Sequence, residues 1–239
     1  MLRNLLLAIF FSLSLIATYG QETSSKSRSI DLGLAFGSSQ GTFTAAYIHS
    51  RRLGKKQKFE IGAGGRLTSY FGSNQYYSTA PAELTTGSSG PGVLFKETIT
   101  ANIDTFLIAR PQVFALNAMV NLGYRLSEKF SIGFSIDVIG FTLGGEKKGN
   151  YINGAFGQNT TGKPASFNAL LIGDNDKGSL NSEFYAKYKL NEKWSLKAGL
   201  QYLFTEYVTA TEVQQFPKPN DRFRNKSSLF TLGASLTLK

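Results

Sequence analysis

The sequence predicts an all-β protein, an antiparallel up-and-down transmembrane β-barrel of about eight strands, preceded by a cleaved signal peptide. Three observations predict this fold. Apolar residues alternate with small or polar ones along most of the chain, as in strands with two different faces. Short charged turns alternate with long polar connections. Only 18% of the 239 residues are charged, whereas soluble domains typically carry about 25%, so an outer face that meets lipid is favoured.

The composition excludes several kinds of functional site. The chain has no Cys and a single His, His49. These counts exclude disulfides, Cys-ligated zinc, iron–sulfur clusters and a multi-His metal site, and we expect no metal and no cofactor. The formal net charge of +10 would suit nucleic acid. Export from the cytoplasm, predicted below, argues against a nucleic-acid partner.

The first element is a predicted signal peptide at 1–20. Arg3 is followed by an apolar run at 5–17 and by a short segment that ends at Gly20, which is a secretory pattern. The alternative is an uncleaved helical anchor, but a helix needs about 20 apolar residues to span a bilayer, and this run is shorter. The mature barrel domain is therefore predicted at 21–239.

Eight alternating segments follow, and their apolar faces match the length of tilted strands that cross a membrane. The alternation is clearest in the segments that begin at Phe114, Phe130, Trp194 and Phe230. An antiparallel sheet over a soluble core also alternates, but a soluble barrel normally carries many charges on its exterior. The predicted strands are about 29–37, 42–52, 58–72, 104–126, 130–144, 179–190, 194–208 and 227–238.

The second face of these strands is small and polar, with isolated charges. An eight-stranded barrel has an interior just wide enough for side chains, and unpaired charges there would be costly. We therefore expect a network of opposite-sign pairs that plugs the barrel, rather than an ion path or a large open pore. The predicted barrel-interior charge network is Asp31, Glu60, Arg66, Asp137, Glu183, Lys187 and Lys197.

The connections differ at the two ends of the predicted barrel. The hairpin sequence at 124–132 parallels that at 188–196, and both turns contain Glu-Lys before an aromatic residue. The connections on the other side, at 73–103, 145–178 and 209–226, are long, as the outer loops of outer-membrane barrels are. This asymmetry places both termini in the periplasm.

One short turn is strongly basic. It contains Arg51, Arg52, Lys55, Lys56 and Lys58. We interpret it as a periplasmic turn that contacts anionic lipid headgroups or a periplasmic partner; a simple solvated turn is the alternative.

Aromatic residues cluster near the ends of the predicted strands. Rings at both boundaries of a membrane form a girdle, because amphipathic rings favour the headgroup region. The alternative is a set of aromatics packed inside a soluble barrel. The predicted girdle is Phe59, Tyr124, Phe130, Tyr188 and Trp194 at one boundary, with Phe71, Phe204 and Tyr207 at the other.

With these motifs the sequence resembles small outer-membrane β-barrel proteins of the OmpA/OmpX-like superfamily, of the kind abundant in Bacteroidota. The resemblance rests on a signal that ends in Gly20-Gln21, on the Tyr-x-Leu-x-Glu-Lys-aromatic hairpins and on the last strand at 231–238. That strand is similar to the C-terminal signal that the barrel-assembly machinery reads during biogenesis, although this sequence ends in Leu238-Lys239 rather than an aromatic. The resemblance implies a monomer in a Gram-negative outer membrane, in contact with lipid and lipopolysaccharide.

The functional expectation is a structural, adhesion or envelope-complex role, and not an enzyme. Two alternatives are a narrow channel for a solute or hydrophobic ligand and a barrel that modifies lipid A, for which His49 would be the only candidate base. A secreted soluble barrel with an apolar ligand is a third. Loop aromatics are expected to contact an external ligand or an extracellular or envelope protein, or else to pack on each other: Tyr76, Tyr77, Tyr151, Phe156 and Phe167.

Overall fold

The computed structural model describes residues 26–171 and 175–238 and is almost entirely antiparallel β-structure. The predicted signal peptide at 1–20 lies outside the described residues. Three short helices lie between residues 79 and 105: α1 (Ala82–Thr86) and the 3₁₀ helices η1 (Pro91–Phe95) and η2 (Thr100–Asn102). The strands are β1 (Lys26–Gly37), β2 (Gln40–Leu53), β3 (Phe59–Gly72), β4 (Gln75–Thr79), β5 (Thr105–Ile108), β6 (Gln112–Arg125), β7 (Phe130–Leu143), β8 (Lys147–Asn153), β9 (Phe156–Pro164), β10 (Phe167–Ala169), β11 (Leu180–Lys189), β12 (Trp194–Thr209) and β13 (Arg222–Leu238).

Eight of the strands close into a barrel, which we call the main ring. Its hydrogen-bonded order is β1, β2, β3, β6, β7, β11, β12 and β13, and β13 pairs back to β1. Every neighbouring pair is antiparallel, as an up-and-down barrel requires. The sheet as a whole contains thirteen strands, so the prediction of about eight strands for the chain was too low.

The additional strands form a second closed ring, which we call the upper ring. Here β4, β5, β8 and β9 pair in the order β13–β4–β5–β8–β9–β12. Because β12 and β13 also pair with each other, this cycle is closed, and the two rings share these two strands. The short β10 pairs with β7, at the edge of the main ring.

Two features explain why the sequence pattern missed these strands. The segment predicted as one strand at 104–126 is broken before Pro111, which has no N–H to donate and separates β5 from β6. The hairpin of β8 and β9 was predicted to be loop because its residues are polar. Its tight turn follows Asn153, and Gly154 occupies the positive-φ position at 55° that such turns require.

The two ends of the main ring differ in structure. At the turn end, connections 54–58, 126–129 and 190–193 are short, and residues 26 and 238 lie there as well. At the loop end, the upper ring and the three short helices extend the fold, and most of the buried apolar residues lie there, including Tyr77, Phe106, Tyr207 and Phe223. Within the described residues, no helix combines the length and apolar character needed to cross a membrane.

Candidate functional site

The outer face of the main ring carries a continuous belt of exposed apolar side chains. All eight ring strands contribute, because alternate residues of each strand point outward. The ring strands are 10 to 17 residues long, which suffices for the roughly 9 to 11 residues that cross a bilayer. Examples, one from each strand in ring order, are Leu32, Phe43, Ile61, Leu116, Phe134, Phe184, Leu200 and Leu232.

The aromatic residues predicted at one boundary lie together at the turn end. Tyr124 pairs with Phe59, and Tyr188 pairs with Phe130, across neighbouring strands. Trp194 is the first residue of β12. All five side chains are exposed on the outside of the ring, and together they form an aromatic rim at this end.

The aromatics predicted at the opposite boundary are divided. Phe71 is exposed on the outer face. Phe204 is half-buried and contacts the ring of Tyr202. Tyr207 contradicts the prediction, because its side chain is fully buried inside the fold, where it packs on Tyr77. The alternation places residue 207 on the inward face together with residues 203 and 205, so the prediction assigned it to the wrong face.

Arg66 lies at the centre of the barrel-interior charge network. Its Nε donates to Asp137 Oδ1 at 2.8 Å, and its Nη1 donates to Ser135 Oγ at 3.0 Å. Asp137 also accepts hydrogen bonds from Asn117 Nδ2 at 2.7 Å and from the backbone N–H of Asn181 at 3.0 Å. Both charged side chains are almost completely buried, so these hydrogen bonds replace the water that each charge has lost.

Two lysines face each other in the same interior, nearer the turn end than Arg66. Lys187 and Lys197 are direct cross-strand partners, an arrangement that like charges normally make unfavourable. Asp31 lies between them, with Oδ2 at 2.9 Å from Lys187 Nζ and 3.6 Å from Lys197 Nζ. The ring of Tyr185 lies 5.1 and 4.4 Å from the two ammonium groups, and its π face adds further attraction.

Glu183 joins these two clusters. Its Oε2 lies 2.8 Å from Lys197 Nζ and 3.8 Å from Arg66 Nη1. Six of the seven predicted interior residues therefore form one ion-pair chain, in the order Asp137, Arg66, Glu183, Lys197, Asp31 and Lys187. Glu60 is separate, since it lies nearer the turn end and pairs with Arg52 at 3.7 Å.

A second buried ion cluster, at the loop end, was not predicted from the sequence. The buried carboxylate of Glu206 accepts hydrogen bonds from Arg222 Nε at 2.8 Å and from Arg224 Nη2 at 2.8 Å. Residues 209–226 were assigned to a loop. The alternation of Arg222, Phe223 and Arg224 is the signal that could have extended the last strand into this segment.

The interior is closed at the loop end and open at the turn end. Beyond the ion-pair chain, the interior is filled by Tyr70, Val113, Leu203 and Tyr207, and then by the core of the upper ring. At the turn end there is a cavity of about 370 Å³, which we call the turn-end cavity. Tyr185 and Lys187 form its floor, and all eight ring strands contribute to its wall.

The predicted basic turn lies at the rim of this cavity, but its residues point in different directions. Lys55 and Lys56 are exposed in the turn. Arg52 and Lys58 line the turn-end cavity. Arg51 is on the outer face instead.

His49 also lies on the outer face. It borders a shallow depression together with Lys26, Arg51 and Ile61, and no acidic side chain lines that depression. Among the described residues, no group of three or more His, Asp or Glu side chains is arranged to hold a metal ion.

The loop aromatics also divide into two groups. Tyr77 and Tyr151 are buried in the upper ring. Tyr151 Oη donates to Asp104 Oδ2 at 2.6 Å, and burial together with this hydrogen bond raises the pKa of Tyr151 to about 12. Tyr76, Phe156 and Phe167 are exposed and remain available to an external partner.

No family model and no curated protein matches the chain. Among solved structures, the chain is similar to Neisserial surface protein A, with 10% identity, a TM-score of 0.38 and coverage of 90% of this chain and 99% of that one. It is similar to the Yersinia pestis outer membrane protein Ail in a phospholipid bilayer nanodisc (10% identity, TM-score 0.34, coverage 90% and 100%). It is also similar to a major outer membrane protein from Thermus thermophilus (12% identity, TM-score 0.36, coverage 90% and 100%). These values are too low to transfer a role to this chain.

Proposed function

We propose that the chain is an integral outer-membrane β-barrel protein with a structural, adhesion or envelope-complex role and without a large open pore. The observation that carries the proposal is the exposed apolar belt around the whole main ring. Soluble monomers rarely expose continuous apolar patches larger than a few hundred Å². A closed ring of strands also satisfies every backbone hydrogen bond in lipid, which open sheets cannot do.

The filled interior supports the proposal that no large pore is present. The ion-pair chain crosses the barrel, and the apolar core of the upper ring lies beyond it. An alternative role as a narrow conduit would require both the ion-pair chain and the apolar core of the upper ring to move. His49 faces away from the interior and has no acidic neighbour in its depression, so no observation favours lipid A chemistry.

The membrane location is tested by fractionation. We expect the full-length protein in the outer-membrane fraction, with a gel mobility that changes on heating because the folded barrel resists detergent at room temperature. Recovery of a soluble periplasmic protein would contradict the proposal and favour the secreted soluble barrel.

The orientation is proposed with the turn end and both termini in the periplasm and the loop end outside. Because the chain has no Cys, single cysteines can be introduced cleanly. Phe95 is 89% exposed at the loop end, and Lys55 is exposed at the turn end. On intact cells, a membrane-impermeant maleimide should label Phe95→Cys and spare Lys55→Cys. The reverse pattern would overturn the orientation, and both variants should react after the cells are broken.

The loop end is the proposed contact surface for an extracellular or envelope partner. It presents exposed apolar and aromatic side chains, among them Leu94, Phe95, Phe156 and Phe216. Crosslinking from the position of Phe95 in living cells, followed by identification of the attached chains, tests this role. Equal crosslinking from Lys55 would show that the contacts are not specific to the loop end.

A further inference from the structure

The turn-end cavity has the size and enclosure of a small-molecule site. Its volume of about 370 Å³ lies within the range of about 300 to 1,000 Å³ that ligand pockets occupy. The wall is formed by the rigid main ring, and the floor is closed by Tyr185 and the paired Lys187. A ligand can therefore enter from one side only.

The charges around this cavity are unbalanced. Seven basic and three acidic side chains line it. Two of the acidic residues, Glu128 and Glu192, lie in the turns, and Glu192 is 91% exposed and pairs with Lys189 in the solvent. Its hydrogen bond from Lys189 lowers the pKa of Glu192. A mouth lined mainly by one sign of charge, with low-dielectric walls, concentrates ions of the opposite sign.

Two guanidinium groups provide the specific feature of the site. Arg125 has no acidic partner within 4.0 Å among the described residues, and it repels the neighbouring Arg52. The Nε of Arg52 lies 3.7 Å from Oε2 of Glu60. This distance is longer than that of a strong charge-assisted hydrogen bond, which is about 2.7 to 2.9 Å. Both groups therefore keep donors for an oxyanion.

Backbone hydrogen bonds fix the rim that carries these charges. The N–H of Arg125 donates to the carbonyl of Lys58 at 2.8 Å, and the N–H of Lys189 donates to the carbonyl of Lys129 at 2.8 Å. These bonds join the basic turns to the ends of neighbouring strands. Little ordering is then needed on binding, which favours affinity.

We propose that the turn-end cavity binds a small anion with two or more carboxylate or phosphate groups, held by Arg52 and Arg125. Guanidinium groups match the planar oxygens of both chemistries with paired hydrogen bonds. The cavity is too small for a folded protein partner. The proposal does not depend on the orientation in the membrane.

The test is isothermal titration calorimetry of the full-length protein in zwitterionic detergent at low salt, with citrate and inorganic pyrophosphate as separate probes. We expect saturable one-to-one binding of at least one probe, weakened as salt is added. The preferred probe distinguishes a carboxylate from a phosphate ligand. Arg125→Gln should weaken the affinity at least tenfold, and Arg125→Lys should restore part of it.

The matched control is Arg51→Gln, which removes the same charge from the residue beside Arg52 but on the outer face. It should change the affinity less than twofold. Heat-modifiable mobility verifies that each variant is folded. Absence of binding by both probes would overturn the proposal. So would equal weakening by Arg51→Gln and Arg125→Gln, which would indicate only attraction to the net charge.

Discussion

At the scale of single residues, Arg66 is the position on which the interior charges depend most. It contacts Asp137, Glu183 and Ser135, and Arg66 and Asp137 are both almost completely buried. Removal of one partner of a buried pair leaves the other charge uncompensated, at a cost of about 3 to 5 kcal/mol. We predict that Arg66→Gln lowers the free energy of unfolding in urea by this amount.

A matched double variant separates the ion pair from simple packing. Asp137→Asn combined with Arg66→Gln leaves no buried charge without a partner while preserving polar groups of similar size. The double variant should lose less free energy of unfolding than the two single variants lose together, because the effects of substitutions at residues in contact are not additive. Strict additivity would show that the pair does not stabilise the barrel.

Tyr151 gives a prediction about pH in the upper ring. Burial and the hydrogen bond to Asp104 raise its pKa from 10.0 to about 12. The folded state therefore keeps the proton to a higher pH than the unfolded chain, so this stabilisation is present below pH 10 and is lost as the pH rises toward 12. The thermal unfolding temperature should fall over this window, and Tyr151→Phe should make the fall shallower.

The control for this prediction is Tyr76→Phe, since the side chain of Tyr76 is exposed on β4, which also belongs to the upper ring. This variant should keep the wild-type dependence on pH. If Tyr151→Phe shows the same slope as wild type, the hydrogen bond to Asp104 does not govern alkaline unfolding.

The interior charges could be anticipated residue by residue, because a charge on the small, polar face of an alternating strand has to lie inside a narrow barrel. Which of these charges contact each other could not be predicted from the sequence. The contact between Asp31 and Lys197, for example, depends on the register of three neighbouring strands, β1, β13 and β12. Glu206 was missed for another reason, since its partners Arg222 and Arg224 lie in a segment without a run of apolar residues.

At the scale of elements, the close packing of neighbouring strands makes Gly64 sensitive to substitution. It lies in β3 opposite Ile48 of β2, and a Cβ atom there would overlap the backbone carbonyl of Tyr47. Because backbone cannot move aside as a side chain can, we predict that Gly64→Ala destabilises the barrel by about 1 to 3 kcal/mol or more. Urea unfolding measures the loss.

The adjacent Gly65→Ala is the control, since its Cβ would meet only the carbonyl of Asn117 at 4.0 Å. This variant should unfold at nearly the wild-type urea concentration. Equal losses for both variants would show that the general effect of glycine replacement in a strand, rather than the contact with Tyr47, is responsible.

The ring strands were predictable because outward-facing apolar residues and inward-facing polar residues alternate along each of them. The strands of the upper ring were not predicted because they bury few apolar residues and have a polar outer face. β8, for instance, contributes Tyr151 to the core but is otherwise rich in Lys, Gly and Asn. The Asn153-Gly154 pair was a usable hairpin signal within this segment.

At the scale of the whole molecule, two successive blocks lie between the turn-end cavity and the loop end. The ion-pair chain fills the middle of the main ring, and Tyr77, Phe106 and Tyr207 fill the upper ring. We predict that the purified protein gives no nanosiemens-scale conductance in planar bilayers. A porin inserted into the same bilayers controls for sensitivity, and stable large openings from this protein alone would contradict the prediction.

The sharing of β12 and β13 by both rings has a consequence for how the chain assembles. These strands pair over fifteen successive residues, from Trp194 with Leu236 to Val208 with Arg222, and among the described strands this is the one pairing that both cycles share. Because β13 follows the other described strands along the chain, neither cycle can close until β13 has paired. The main ring and the upper ring should then form, and be lost, as a single cooperative unit.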